Sequence, residues 1–63
     1  MNVGEALKEA RGDMPRKDVA NALGISLAAL SLYENGERVP RDDVKVKMAS
    51  LYKTTVGRLF FGE

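Results

Sequence analysis

The side chains of this sequence that could carry out chemistry are carboxylates, hydroxyls, lysines and arginines, because the chain contains no cysteine and no histidine. Metal sites and nucleophile–base pairs built on those two residue types are therefore excluded. The adjacent carboxylates Asp42 and Asp43 would point about 100° apart on a helix, so they do not form an acid–base pair. The sequence also has no glycine-rich phosphate-binding loop and no metal-ligand spacing. We therefore expect a protein that is not an enzyme and that uses no cofactor, metal ion or small-molecule substrate.

The length and charge of the chain limit its architecture. A chain of 63 residues accommodates one domain, 1–63, which is only marginally stable by itself. Its apolar runs are too short for a membrane span or the core of a signal peptide, and the expected setting is the cytoplasm. Ten basic side chains against nine acidic ones leave a net charge of +1. A basic surface must therefore come from the arrangement of the charges rather than from their excess.

Glycines and prolines divide the chain into five short segments with helical features. In the first segment, Val3, Leu7 and Ala10 are spaced so that they share one face of a helix. Asn2 precedes this segment and Gly12 follows it, as is typical of the two ends of a helix. The remaining segments have similar signals, so the sequence predicts an all-α fold. The predicted helices are 3–11, 16–23, 27–34, 42–53 and 56–61.

The fourth segment fits two patterns. Val44, Val46 and Met48 alternate with lysines, which is typical of a strand. Over a longer window, Val44, Met48 and Leu51 recur at helical spacing. Asp42 would then lie in the first helical turn, where a carboxylate interacts favourably with the helix dipole. Because a lone strand would have no partner in an otherwise helical chain, we predict a helix.

Residues 16–35 combine the requirements of two helices that cross at a tight turn. Gly24 suits the turn, Ala20 allows the helices to approach, and Ser26 is a suitable first residue for the second helix. The apolar residues that would join both helices to a common core are Val19, Leu23, Ile25, Leu30 and Tyr33. This combination predicts a helix-turn-helix motif. A helical hairpin without a ligand is the alternative that spacing alone leaves open.

Two stretches of the sequence, residues 20–26 (ANALGIS) and 30–40 (LSLYENGERVP), resemble the helix-turn-helix of the phage lambda repressor/Cro family, also called Xre. The likeness continues through residues 7–12, 45–49 and 59–61. The resemblance implies a compact domain of five helices that binds double-stranded DNA through its second and third helices. It also implies a homodimer on a palindromic operator. Small members of this family are repressors of phage and bacterial genes.

The resemblance places five residues on the face of the third helix that enters the major groove, namely Ser26, Leu27, Ala28, Ser31 and Leu32. Relatives have mostly polar or basic side chains on this face, whereas only the two serines are polar here. The leucines and the alanine can offer apolar contacts, chiefly to thymine methyl groups. We therefore expect base readout through this helix to be weak.

The resemblance also implies contacts to the DNA backbone from Arg16, Lys17, Asn35, Arg38 and Arg41. Arg16 opens the second helix, where relatives typically have a glutamine that binds phosphate. Arg38 and Arg41 lie in the loop after the third helix, which in relatives follows the backbone or reaches the minor groove. For any one of these charges, a solvated surface position is the alternative. The three arginines together lie on both sides of the recognition helix in the sequence, which favours phosphate binding.

Arg11 and Glu34 occupy positions that often form an internal ion pair in the family. If they pair, they join the first helix to the end of the third, and their role is structural. Two independent surface charges are the alternative.

The C-terminal segment, about 55–63, contains more apolar side chains than so small a core can hold. We expect Leu59 and one of the two phenylalanines to be buried. An apolar surplus at a terminus is a candidate dimer surface, and relatives usually dimerise in this region. The predicted dimer residues are Val56, Phe60 and Phe61.

Two functions of different classes follow from these observations. The first is a DNA-binding transcriptional regulator of the phage or prophage repressor type. The second is a protein-interaction module, similar to an antitoxin or anti-repressor, that keeps the fold and binds a protein through Leu27, Ala28 and Leu32. The apolar face of the third helix favours the second function, and the flanking arginines argue against it.

Overall fold

Five helices form the fold, in the order and almost at the positions that the sequence predicts. The computed structural model describes residues 2–63, and these residues contain no strand. The helices are α1 (Val3–Arg11), α2 (Arg16–Leu23), α3 (Leu27–Glu34), α4 (Asp42–Leu51) and α5 (Val56–Phe60). None of the helices within residues 2–63 is long and apolar enough to cross a membrane. The predicted all-α fold, with a helix-turn-helix at α2 and α3, is confirmed.

Short polar side chains determine where several of these helices begin. The Asn2 side chain accepts a hydrogen bond from the backbone N–H of Glu5 at 2.8 Å. Thr55 accepts one in the same way from the N–H of Arg58 at 3.1 Å. Both bonds satisfy backbone donors that have no partner inside a helix. The caps therefore explain why α1 and α5 begin where the sequence predicts.

The ambiguous fourth segment is a helix. Val44, Met48 and Ala49 are buried, whereas Val46 is 60% exposed. A strand would have placed Val44, Val46 and Met48 on one face, so the separation of Val46 from the other two follows from helical geometry. Burial of one helical face in the core therefore decides between the two patterns.

Two helices end earlier than predicted. α4 ends at Leu51 rather than at residue 53, because Lys53 adopts a left-handed conformation with φ of +56°. The N–H of Thr54 then donates to the carbonyl of Ala49 at 2.9 Å and closes the end of the helix. α5 ends at Phe60 rather than at residue 61. A lysine in this conformation has no signature in the sequence, since glycine and asparagine are the residues that usually adopt it.

Apolar side chains from all five helices meet in one core. α1 packs against α3 and α5, α2 packs against α3 and α4, and α4 packs against α5. α3 is held through its buried residues Leu30 and Tyr33, so its other side remains accessible. The buried apolar residues are Leu7, Val19, Ala20, Leu23, Leu30, Tyr33, Val44, Met48, Ala49, Leu59 and Phe60.

α1 lies very close to the end of α3 at Gly4. A Cβ atom at this position would overlap the carbonyl oxygen of Glu34 and would lie 3.0 Å from the backbone nitrogen of Gly36. Only glycine allows this approach without movement of one helix. The contact positions the last residue of α3, Glu34, against the first helix.

Candidate nucleic-acid interface

The turn between α2 and α3 is formed by Gly24, Ile25 and Ser26. Gly24 has a φ of +71° and a ψ of +30°, a left-handed conformation that glycine adopts without steric cost. The N–H of Ile25 donates to the carbonyl of Ala20 at 3.0 Å and closes the end of α2. The Oγ of Ser26 accepts a hydrogen bond from the N–H of Ala29 at 3.0 Å and begins α3. Three residues therefore change the chain direction between the two helices, as a helix-turn-helix requires.

The side of α3 that faces away from the core is accessible and largely apolar. Leu27 is 49% exposed, and Ser26 and Ala28 are exposed as well. Ser31 and Leu32 are half-buried at the edge of this face. The hydroxyl of Ser26 accepts the capping bond and retains its proton for donation to another group. The predicted base-facing residues therefore share one accessible face, but they offer few polar atoms.

Exposed polar side chains lie on both sides of α3 in the sequence. They are Arg16 and Lys17 in the first turn of α2, Asn35 at the end of α3, and Arg38 and Arg41 in the following loop. The side chain of Arg41 is 86% exposed and makes one long contact of 3.9 Å with Asp43. Such an exposed pair contributes little stability and leaves the guanidinium available to another anion.

The carboxylate of Glu34 is buried and joins two arginines. Its side chain has 0% exposure. It accepts hydrogen bonds from Arg11 Nε at 2.8 Å and from Arg11 Nη2 at 3.4 Å. A third bond comes from Arg16 Nε at 3.2 Å. The predicted pairing of Arg11 with Glu34 is confirmed, and Arg16 is a further partner that the sequence did not reveal.

The geometry agrees with the comparison of this sequence with known families. The family described as Helix-turn-helix matches residues 6–59, which include the turn, both of its helices and the buried ion pair. The chain is a member of the lambda repressor-like helix-turn-helix family. No curated protein matches the sequence. As a member of this family, the protein is a DNA-binding regulator.

In this helix-turn-helix protein, Glu34, Arg11 and Arg16 form a buried ion cluster. The charges of Glu34 and Arg11 influence the phenol of Tyr52 at the end of α4. Burial raises the pKa of Tyr52 above its ordinary value of 10.0, the Glu34 carboxylate raises this pKa further, and Arg11 lowers it. The hydroxyl is buried and has no hydrogen-bond partner among residues 2–63. Tyr52 therefore remains neutral at physiological pH and adds no second negative charge beside Glu34.

The two C-terminal phenylalanines of the helix-turn-helix protein have different environments. Phe60 is only 9% exposed because it fills the core, whereas Phe61 is 66% exposed. The Nζ of Lys45 lies 5.4 Å from the centroid of the Phe60 ring and 5.8 Å from that of Phe61. Val56 is half-buried. The expectation that one of the two phenylalanines is buried is therefore confirmed for Phe60, whereas the dimer contacts of Val56, Phe60 and Phe61 stay a prediction.

The tertiary contacts that three residues of the helix-turn-helix protein make were not predicted from the sequence. Gly4 permits the contact between α1 and α3, the charges of Glu34 and Arg11 act on the pKa of Tyr52, and Lys45 lies over both C-terminal rings. Gly4 could have been noticed as a glycine inside a helical segment, which usually has a packing reason. The other two have ordinary positions in the helical pattern, so only their tertiary neighbours distinguish them.

Proposed function

We propose that this protein is a transcriptional repressor that binds an operator as a homodimer, with α3 in the major groove. The observation that carries the proposal is the accessible face of α3 together with the exposed basic side chains on either side of it in the sequence. Lys17 and Arg38 have no ion-pair partner among residues 2–63. Unpaired basic side chains in the segments before and after a helix that can enter the major groove are suited to contact with phosphates.

Affinity in this proposal comes mainly from the DNA backbone. Bidentate contacts from arginine, asparagine or glutamine to bases contribute about 1–3 kcal/mol of discrimination each. The accessible face of α3 and its half-buried edge offer instead two serine hydroxyls and the apolar side chains of Leu27, Ala28 and Leu32. We therefore expect modest sequence specificity combined with a strong dependence of affinity on salt concentration.

The salt dependence of binding tests the backbone contacts. Each phosphate that the protein neutralises changes the slope of log K against log salt by about −0.9. Arg38→Ala or Arg41→Ala should weaken binding to all sequences similarly and flatten the slope by about one unit, or about two if the dimer makes each contact twice. Lys8→Ala removes the same charge from an exposed position on α1 and serves as the control. Fluorescence anisotropy of labelled duplexes over a range of salt concentrations measures both quantities.

The base-facing role of α3 has its own test. Leu27→Ala should change the preference at one or two base pairs, expected to be A·T, because the leucine can pack on a thymine methyl group. The salt slope should remain unchanged, since no phosphate contact is lost. Selection of bound sequences from a random library, carried out with both proteins, measures the preference. Identical selected sequences would contradict the placement of Leu27 in the groove.

The proposed dimer uses the C-terminal segment, with Phe61 as its most exposed apolar residue and Val56 beside the core. Phe61→Asp should yield monomers in analytical ultracentrifugation and leave the fold intact, because this side chain is 66% exposed. A dimer would present two recognition helices about 34 Å apart, which is one turn of DNA. A native protein that remains monomeric at high micromolar concentration would refute the dimer.

The protein-interaction function is an outcome of the same tests. The family match supports DNA binding and does not favour the alternative. If Arg38→Ala and Arg41→Ala leave affinity and salt slope unchanged on every DNA tested, the basic side chains do not face phosphates. The apolar face of α3 would then be the better candidate for a protein-binding surface.

A further inference from the structure

The two arginines bound to Glu34 differ in their surroundings. The side chain of Arg11 is 16% exposed and makes two bonds to the carboxylate. Its remaining terminal nitrogen, Nη1, donates to the backbone carbonyl of Met14 at 2.9 Å. All three guanidinium nitrogens of Arg11 therefore bond within the protein, and this arginine by itself neutralises the buried charge.

Arg16 is only partly engaged. Its Nε donates to Glu34 at 3.2 Å, and its side chain is 47% exposed. Its two terminal nitrogens make no hydrogen bond with residues 2–63. A guanidinium presents five N–H donors in a rigid plane, so fixing Nε also fixes the direction of the terminal pair. The first residue of α2 thus carries an oriented and unoccupied pair of donors.

We propose that Glu34 is a positioning residue for DNA binding, which holds Arg16 so that its terminal nitrogens meet a backbone phosphate. The inference rests on the proposed DNA-binding function. Glu34 would contribute to that function without touching DNA, because its side chain is buried. Two parallel N–H bonds to a phosphate match the geometry of a guanidinium. Because Arg16 is already restrained by Glu34, binding DNA costs less side-chain entropy than it would for a free arginine.

The direction in which Glu34→Gln changes DNA affinity distinguishes the positioning of Arg16 from simple charge repulsion. Glu34 carries a negative charge, which by itself repels the phosphates of DNA. Its replacement by neutral glutamine would therefore tighten binding if only charge mattered. If Glu34 positions Arg16, the same replacement weakens binding, because the single amide oxygen must then serve both Arg11 and Arg16, which now share two carboxylate oxygens. The expected loss is roughly 3- to 10-fold, as for a loss of restraint on one long side chain.

The test measures Glu34→Gln, Arg16→Ala and the double variant on a fluorescein-labelled duplex of mixed sequence. Glu34→Gln should weaken binding with an unchanged salt slope, because Arg16 still neutralises the phosphate once bound. Arg16→Ala should weaken binding and flatten the slope by about one unit per contact. In the Arg16→Ala background, Glu34→Gln should not weaken binding further. Tighter or unchanged binding by Glu34→Gln, or equal weakening in both backgrounds, would overturn the proposal.

A second variant tests the proposal without touching the buried carboxylate. Arg16→Lys keeps the positive charge but has a single donor nitrogen, so it cannot hold Glu34 through one nitrogen while it presents two others in a parallel pair to a phosphate. It should bind more weakly with an unchanged salt slope, and circular dichroism should show an intact fold. If Arg16→Lys binds as tightly as the native protein, the positioning role is refuted.

Failure of this inference is distinguishable from failure of the proposed function. If Arg38→Ala and Arg41→Ala flatten the salt slope while Arg16→Ala does not, the protein binds DNA and Arg16 is not a phosphate contact. If none of the three changes binding, the DNA-binding orientation itself is refuted.

Discussion

Replacement of Arg11 by methionine tests the contribution of the buried ion cluster to stability. Arg11→Met retains an apolar stem of similar length at a side chain that is 16% exposed and removes the guanidinium. Glu34, whose side chain has 0% exposure, then loses the bonds at 2.8 and 3.4 Å and keeps only the bond at 3.2 Å from the half-exposed Arg16. The carboxylate of Glu34 then remains buried, and the half-exposed Arg16 is its one remaining hydrogen-bond donor among residues 2–63.

The expected loss follows from these contacts. Removal of one partner from a buried ion pair typically costs about 3–5 kcal/mol, because an uncompensated charge is left behind. Arg16 still compensates part of that charge, so we expect a decrease of about 2–4 kcal/mol in the free energy of unfolding. A domain of 63 residues has a total stability of roughly 3–9 kcal/mol. The variant should therefore be at the limit of folding, and its thermal midpoint should fall by more than about 8 °C.

Thermal and urea unfolding followed by circular dichroism measure this loss. Lys8→Ala, an exposed replacement on the same helix, is the matched control and should change stability by less than about 0.5 kcal/mol. The double variant Arg11→Met with Glu34→Leu should recover much of the stability, since it also removes the buried charge. A loss below about 1 kcal/mol for Arg11→Met would refute the view that Arg11 compensates Glu34.

Three further predictions concern single residues. Gly4→Ala should destabilise the fold by about 1–3 kcal/mol in urea unfolding, because the new Cβ overlaps a carbonyl oxygen of α3. If helix propensity alone mattered, alanine would instead stabilise the fold by up to about 1 kcal/mol, and that result would contradict the overlap. Lys53→Gly should stabilise the fold by about 0.5–1 kcal/mol in the same assay, because a lysine at φ of +56° is strained. Unchanged or lower stability would contradict this cause. Tyr52 has a folded-state pKa raised above its ordinary value of 10.0, so its contribution to stability is complete below pH 10 and is lost as the pH rises through the folded-state pKa. Tyr52→Phe should therefore show a smaller fall in unfolding midpoint between about pH 8 and pH 11 than the native protein, and equal falls would contradict the raised pKa.

Much of the fold could be predicted because it depends on local chemistry. The cap at Asn2, the left-handed turn at Gly24 and the cap at Ser26 each act within a few residues of the chain, so their effect can be inferred from neighbours in the sequence. The helix ends that were misplaced lack such signals. Lys53 occupies a conformation for which its residue type gives no indication.

The site could be predicted only in part. Leu27 and Arg38 are exposed, as the roles that the family resemblance implies for them require, but their contacts with DNA stay predictions. The environments of Phe60 and Phe61 could not be separated, because two neighbouring aromatic residues satisfy the same apolar pattern. The packing of α5 on α1 and α4 buries one ring and leaves the other 66% exposed.

The sequence by itself determined the elements of this protein, namely five short helices, the turn between the second and third, and the absence of cysteine and histidine chemistry. Only the tertiary structure decided that Glu34, beyond its expected partner Arg11, also bonds Arg16, which is 18 positions away from it in the chain. The physical reason is that burial and ion pairing depend on which helices pack together. That packing is a property of the whole core, and no short window of sequence contains it.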